Sequence, residues 1–141
     1  MTYLLDTNVV SELRKMRPHG AVLAWRHSVP IHQLAIPAIV LAEAQAGIEL
    51  TRKQNPEKAA GLEAWIDQVQ ARYTIVSANG PIFREWARLM HGRSANLTAD
   101  AMIAATARVL GTIVATRNVK DFDRFQVEVF DPFKFNPETA H

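Results

Sequence analysis

M-T-Y-L-L-D-T-N-V-V, residues 1–10, places an apolar run, a carboxylate and a helix-start signal side by side. Residues 2–6 read as a short buried strand that ends on Asp6. Asn8 is an N-cap candidate for a helix through Val9, Val10 and Leu13, because its side-chain oxygen can accept one of the unpaired N–H groups of a first turn. Working outward, the same alternation repeats. Leu34 to Ile36 reads as a strand stopped by Pro37, followed by a helix from about Ala38 to Arg52. Pro56 opens a helix to about Ala71, and residues 73–76 read as a strand. Pro81 opens a helix to about His91. Thr98 is an N-cap candidate for a helix over 99–110, with Gly111 just past its end. Thr112 to Thr116 is the most strand-like run, and Gln126 to Phe130 alternates as a half-exposed edge strand does. Apolar strands alternating with helices predict an α/β fold, a mostly parallel sheet flanked by helices.

The 141 residues fit one domain, expected over residues 1–135 with a loose tail from Asn136 to His141. Hydrophobic residues make up 48% and charged residues 21%, which supports a real core and argues against disorder. No cysteine is present. That excludes disulfides, thiolate zinc sites and a cysteine nucleophile, and fits a reducing compartment. Asp6 interrupts the first apolar run, no basic segment precedes it, and no apolar stretch reaches the roughly 18 residues of a membrane helix. A cytoplasmic protein without membrane association is expected. The formal charge of +2 permits but does not demand a nucleic-acid partner.

Four acids stand out by position. Asp6 and Asp121 follow the two clearest strands, where α/β folds build their sites. Glu43 is the only charged residue between Ser28 and Ile48, on a helix stripe with Ile39, Ala46, Gly47 and Leu50 that reads as buried. Asp100 is the only charged residue between Arg93 and Arg108 and lies in a first helical turn, which favours an anion. Each alone has a plain reading: a cap, a snorkelling Glu, a first-turn Asp, a loop Asp. Together they fit one site better. Two carboxylates 5–6 Å apart repel by about 3 kcal/mol at an effective dielectric near 20. A ring of four therefore calls for a cation, and oxygen-only ligands select Mg²⁺ or Mn²⁺ over Zn²⁺. The five histidines (19, 27, 32, 91 and 141) show no ligand spacing.

Four ordered blocks carry a family resemblance: L-L-D-T-N-V-V-S-E-L, V-L-A-E-A-Q-A-G-I, L-T-A-D-A-M-I-A-A-T-A and V-A-T-R-N-V-K-D-F, with V-F-D-P-F as a last strand. The set resembles the PIN-domain ribonucleases, and among them the VapC-type toxins of bacterial toxin–antitoxin pairs. The resemblance implies a five-stranded parallel sheet and an endoribonuclease dependent on one or two Mg²⁺ or Mn²⁺ ions. It also implies a homodimer held inactive by a cognate antitoxin. By position, Asp6 and Asp100 match the main metal ligands and Glu43 the second acid. The fourth place falls to Asn118 or Asp121; Asp121 is assigned to the metal and Asn118 to orienting it. Thr7, Asn8 and Thr116 match polar positions beside the metal.

Arg93 and Arg117 are the candidates for RNA phosphates, while Arg14, Lys15 and Arg17 form the densest basic patch. Trp25, Trp65 and Trp86 read as packing residues. Other classes fit less well. A haloacid-dehalogenase-type phosphatase wants an acid where Asn8 stands, and a receiver-like phosphoacceptor wants an Asp after residues 73–76. A non-toxin PIN nuclease of RNA processing and a catalytically silent binding module remain as alternatives.

Overall fold

The computed structural model describes residues 1–139. Five strands form one wholly parallel sheet: β1 (Tyr3–Leu5), β2 (Leu34–Pro37), β3 (Thr74–Val76), β4 (Ile113–Ala115) and β5 (Val129–Phe130), in the order β3-β2-β1-β4-β5. Seven helices connect them: α1 (Thr7–Leu13), α2 (Gly20–Ser28), α3 (Ala38–Gln54), α4 (Pro56–Arg72), α5 (Gly80–Met90), α6 (Thr98–Leu110) and α7 (Val119–Asp123). The chain first builds outward from β1 to β2 and β3, then crosses back to β4 and β5. Right-handed crossovers in opposite directions put helices on both faces. The order reverses between β1 and β4, and that junction is where a parallel sheet opens a crevice at its strand tips.

Both faces of the sheet are sealed. Leu4, Leu5, Leu34, Ala35, Ile36, Val114 and Ala115 are fully buried, as expected of central parallel strands. Below them Trp25 meets Tyr3 edge-on at 5.2 Å between ring centroids and Phe130 at 5.7 Å. Helix α6 is buried from Ala101 through Ala107, and its four alanines let it press closely against its neighbours while Met102 and Ile103 fill the core. Gly111 ends it in the left-handed region at φ 67°, where a side chain is strained, so the chain can turn straight into β4. Among the described residues, no helix is long and apolar enough to cross a membrane.

The elements differ from the sequence reading in four places. Asp6, not Asn8, caps α1, and Asn8 sits within the first turn. Thr98 is the first residue of α6 rather than its cap, and its hydroxyl donates to Ala95 O. Asp121 lies in the short helix α7 rather than in a loop. The edge strand shrinks to Val129–Phe130, because Gln126 turns the backbone to φ 54° and cannot extend a strand. Of the expected tail, residues 136–139 form a turn in which Glu138 N donates to Asn136 Oδ1, and residues 140 and 141 lie outside the described residues.

Candidate functional site

Asp6 leaves β1 with its own N–H bonded to Ala115 O at 3.0 Å, which ties the tip of β1 to the tip of β4. Its side chain is buried, at 5% exposure, and accepts three hydrogen bonds. Oδ1 accepts the Thr7 N–H at 2.7 Å, and Oδ2 accepts the Asn8 amide at 2.9 Å and the Thr116 hydroxyl at 2.7 Å. Thr116 Oγ1 in turn accepts from Asn8 Nδ2 at 3.2 Å and from Asn118 N at 3.0 Å. Asn8 Oδ1 accepts the Arg117 N–H at 3.1 Å. Asp6, Asn8, Thr116 and the Arg117–Asn118 backbone therefore form one closed network across β1 and β4. Burial pushes the Asp6 carboxyl up from its ordinary range. The Thr116, Thr7 and Asn8 bonds pull it down, and the charge of Asp121 adds to the rise.

Three further carboxylates reach the same edge. Asp100, in the first turn of α6, is half-buried and pushed up to about 6, first by burial and then by the charges of Asp6, Asp121 and Glu43; Arg124 opposes the rise. That mutual influence is the evidence that four acids separated by 37, 57 and 21 residues converge. Among the described residues, the carboxylates of Asp100 and Asp121 accept no hydrogen bond from the protein. Glu43 Oε1 accepts the Thr7 hydroxyl at 2.6 Å, which links α3 to α1.

Glu43 stands in a different setting from the one its sequence window predicts. The stripe of Glu43, Ala46, Gly47 and Leu50 is exposed, and α3 buries Val40 and Ile48 instead. The charge-free stretch is a cleft wall rather than a core face. Nor do the acids close into a ready-made cage: among the described residues no three His, Asp or Glu side chains are grouped closely enough to hold a metal ion. Asp6 and Glu43 are held by their hydrogen bonds to Thr7, Asn8 and Thr116, and like charges favour keeping the remaining acids apart. The donor set still fits a hard divalent cation. It is all oxygen, and two of its carboxylates accept no hydrogen bond from the described residues.

The two arginines assigned to phosphate are differently placed. Arg93 Nη2 donates to Arg124 O at 3.1 Å, and its guanidinium lies 5.0 Å from the centre of the Phe125 ring, so it is tied into the scaffold. Arg117 lies over the Phe133 ring at 4.6 Å, beside Asn118 and Asp121. Trp25 is core, Trp65 lies half-buried beneath Arg14 at 5.9 Å, and Trp86 donates its indole N–H to Thr98 O at 3.2 Å. The sequence reading missed Lys58, Lys120 and Lys134, which face the clefts beside the acids, and Arg124, whose charge acts on Asp100. None carries a local signal; only the tertiary fold brings them there.

Comparison with known proteins agrees with this architecture. The chain is 34% identical to the VapC ribonuclease Y4jK of Sinorhizobium fredii over 142 residues, covering 93% of this chain and 97% of the relative. It is 32% identical to the toxin FitB of Neisseria gonorrhoeae over 144 residues, covering 92% and 97% respectively. The structure of FitAB bound to an IR36 DNA fragment superimposes with a TM-score of 0.78 at 31% identity, over 96% of this chain and 98% of that one. The PIN domain family model matches residues 3–128, and with relatives of this identity along nearly its whole length the chain belongs to the PIN domain family.

Proposed function

We propose that the chain is the endoribonuclease toxin of a toxin–antitoxin pair and hydrolyses RNA phosphodiesters with the help of a divalent cation. The observation that supports the reading is that Asp6, Glu43, Asp100 and Asp121, from four separate segments, face one edge of the sheet, where Asp100 is pushed up to about 6 first by burial and then by the charges of the other three. The names of the VapC ribonuclease and toxin relatives agree with it. Asp6, Asp100, Glu43 and Asp121 would hold Mg²⁺ or Mn²⁺, which when bound neutralises the scissile phosphate and makes water a better nucleophile.

The chain's own residues supply position. Thr116, Asn8 and the Thr7 N–H hold Asp6 rigidly, so one carboxylate is fixed before any ligand arrives. Asp100 and Asp121 keep free lone pairs. Thr7 aims Glu43 into the cleft. Asn118 sets the turn that presents Asp121, whose N–H bonds to Asn118 O at 3.1 Å. A cytoplasmic location, a cognate antitoxin and a homodimer complete the reading. For the homodimer, the exposed Leu50 and Phe83 and the apolar cleft between Ile39, Ala42 and Phe83 offer a surface.

The test is cleavage of bulk cellular RNA by the purified chain beside Asp6→Asn and Asp100→Asn, in Mg²⁺, Mn²⁺ and EDTA. Cleavage that needs the cation and disappears in both variants is the expected result. Cleavage that survives Asp100→Asn sinks the site, and wild type that neither cuts RNA nor binds Mn²⁺ sinks the enzyme.

A further inference from the structure

Two basins open beside the acids, on opposite sides of β1. The first, about 260 Å³, lies between α1, α3 and α4. Thr7 and Glu43 stand at its inner end, and Arg14, Thr51 and Lys58 at its outer end. From Glu43 to Thr51 along α3 is about 12 Å, at 1.5 Å per residue. Gly47 forms part of the wall, and a Cβ built there meets no heavy atom within 4 Å. The second basin, about 430 Å³, lies between the β4–α7 turn and the turn at Pro132–Lys134, with Asn118 and Asp121 at its inner end, and Arg117, Lys120 and Lys134 around it outnumber the one further acid, Asp131.

The cations decide what these basins take. Lys15, Arg52, Arg88 and Arg108 all pair with glutamates. Among the described residues, Arg14, Lys58, Arg117, Lys120 and Lys134 form no such pair, and all five are exposed. Each basin also holds one arginine laid over an aromatic face: Arg14 over Trp65 at 5.9 Å and Arg117 over Phe133 at 4.6 Å. Stacking fixes a guanidinium plane and leaves its N–H edge free for a phosphate. An unpaired, pre-set cation on each side of a carboxylate cluster suits a polyanion that crosses the cluster and is gripped on both sides of it.

Resting on the nuclease reading, we infer that one strand of RNA threads the C-terminal edge of the sheet from one basin to the other. Arg14 and Lys58 grip backbone phosphates on one side of the cut, and Arg117, Lys120 and Lys134 grip them on the other. The α1–α3–α4 groove is thereby a nucleotide site.

The test is the affinity of the full chain for a fluorescent, unstructured 12-nucleotide RNA, read by anisotropy across a salt series in an Asp100→Asn background so that the RNA stays intact. Each single-strand phosphate contact contributes about 0.7 to the salt slope. The pair Arg14→Gln with Lys58→Gln should therefore flatten the slope by about 1.4 and weaken binding about tenfold near 0.15 M salt; Lys120→Gln with Lys134→Gln should do the same. Gly47→Met should weaken binding by filling the groove while leaving the unfolding midpoint unchanged or raised, since methionine suits a helix better than glycine. Arg84→Gln, an exposed cation on α5, should change nothing. If either pair leaves affinity and slope as they were, or the parent chain binds no RNA, the threading is wrong. If Gly47→Met binds RNA normally, the groove belongs to something else and the inference falls. Metal-dependent cleavage of bulk RNA by chains with native Asp100, measured alongside, separates these failures from a failure of the nuclease reading.

Discussion

Asp100→Asn should stabilise the metal-free protein, and the size of the effect follows from one group. Asp100 titrates at about 6 in the fold against an ordinary 3.8, so the folded state holds its proton more tightly than the unfolded chain. Stability contributed by that proton is present below pH ~4 and is given up as pH rises towards 6. Above about 6 both states are ionised and the loss is complete. A shift of about 2 pH units at ~1.36 kcal/mol each gives about 3 kcal/mol, and solvent screening of a half-buried group reduces this to roughly 1.5. Losing a favourable first-turn anion returns about 0.5 kcal/mol, which leaves about 1 kcal/mol in favour of Asn. No hydrogen bond is lost in the comparison, because among the described residues the Asp100 carboxylate accepts none, and the pull of Arg124 is already contained in the value of about 6. For a chain of this size the gain is about 3–4 °C in melting temperature. Thermal unfolding in EDTA from pH 4 to pH 8 measures it. The two melting curves should coincide near pH 4, separate between 4 and 6 and run parallel above. Equal midpoints at pH 7.5 would refute the claim that burial and the neighbouring acids together disfavour the Asp100 charge in the folded chain.

Three other outcomes follow from the same geometry. Mg²⁺ or Mn²⁺ should raise the wild-type midpoint, by about 2.7 kcal/mol at a hundred times the dissociation constant, and should raise that of Asp100→Asn less; calorimetry reads both. Thr116→Val keeps the side chain's shape but strips Asp6, Asn8 and the Asn118 N–H of a shared partner, so denaturant unfolding should show a loss of about 1–3 kcal/mol along with impaired cleavage. Trp25→Ala should cost about 3–5 kcal/mol by emptying the space between Tyr3 and Phe130, while any folded fraction still binds Mn²⁺, because Trp25 lies away from the strand tips.

Much of this arrangement is legible in the sequence because central parallel strands must be short and apolar on both faces. Leu4–Leu5, Leu34–Ile36 and Val114–Ala115 could hardly be anything else, and an acid at the end of such a run is conspicuous. The failures have physical causes. A stretch without charges reads as buried, but on α3 the exposed wall of a cleft is also free of charge, so the sequence buries a Glu43 that the structure exposes. Helix α7 spans five residues with no capping side chain, too short for a helical period to show, so Asp121 read as a loop. Gln126 breaks a convincing alternation by a backbone angle that no pattern of side chains announces. Lys58 and Lys134 are ordinary surface lysines until the fold sets them at the mouths of two basins.

Asp6 and Asp100 look alike in the sequence, each an isolated acid at a strand tip or helix start, yet the fold treats them in opposite ways. Asp6 caps α1, locks β1 to β4 through Thr116 and holds Asn8, so its carboxylate serves the fold whether or not a cation is present. Replacing it with Asn leaves one oxygen for the Thr7 N–H but sets an amide against the Thr116 hydroxyl and the Asn8 amide, and a carboxamide cannot accept on that side. The relief of repulsion that favours Asp100→Asn is therefore offset at Asp6 by lost acceptors. Asp6→Asn should come out less stable than Asp100→Asn even though both lose one negative charge from the same cluster. A melting comparison of the two variants at pH 7.5 in EDTA decides it. If Asp6→Asn proves the more stable, the Asp6–Thr116–Asn8 network contributes less than the repulsion it is set against, and the strand-tip acid is tolerated by the fold rather than used by it.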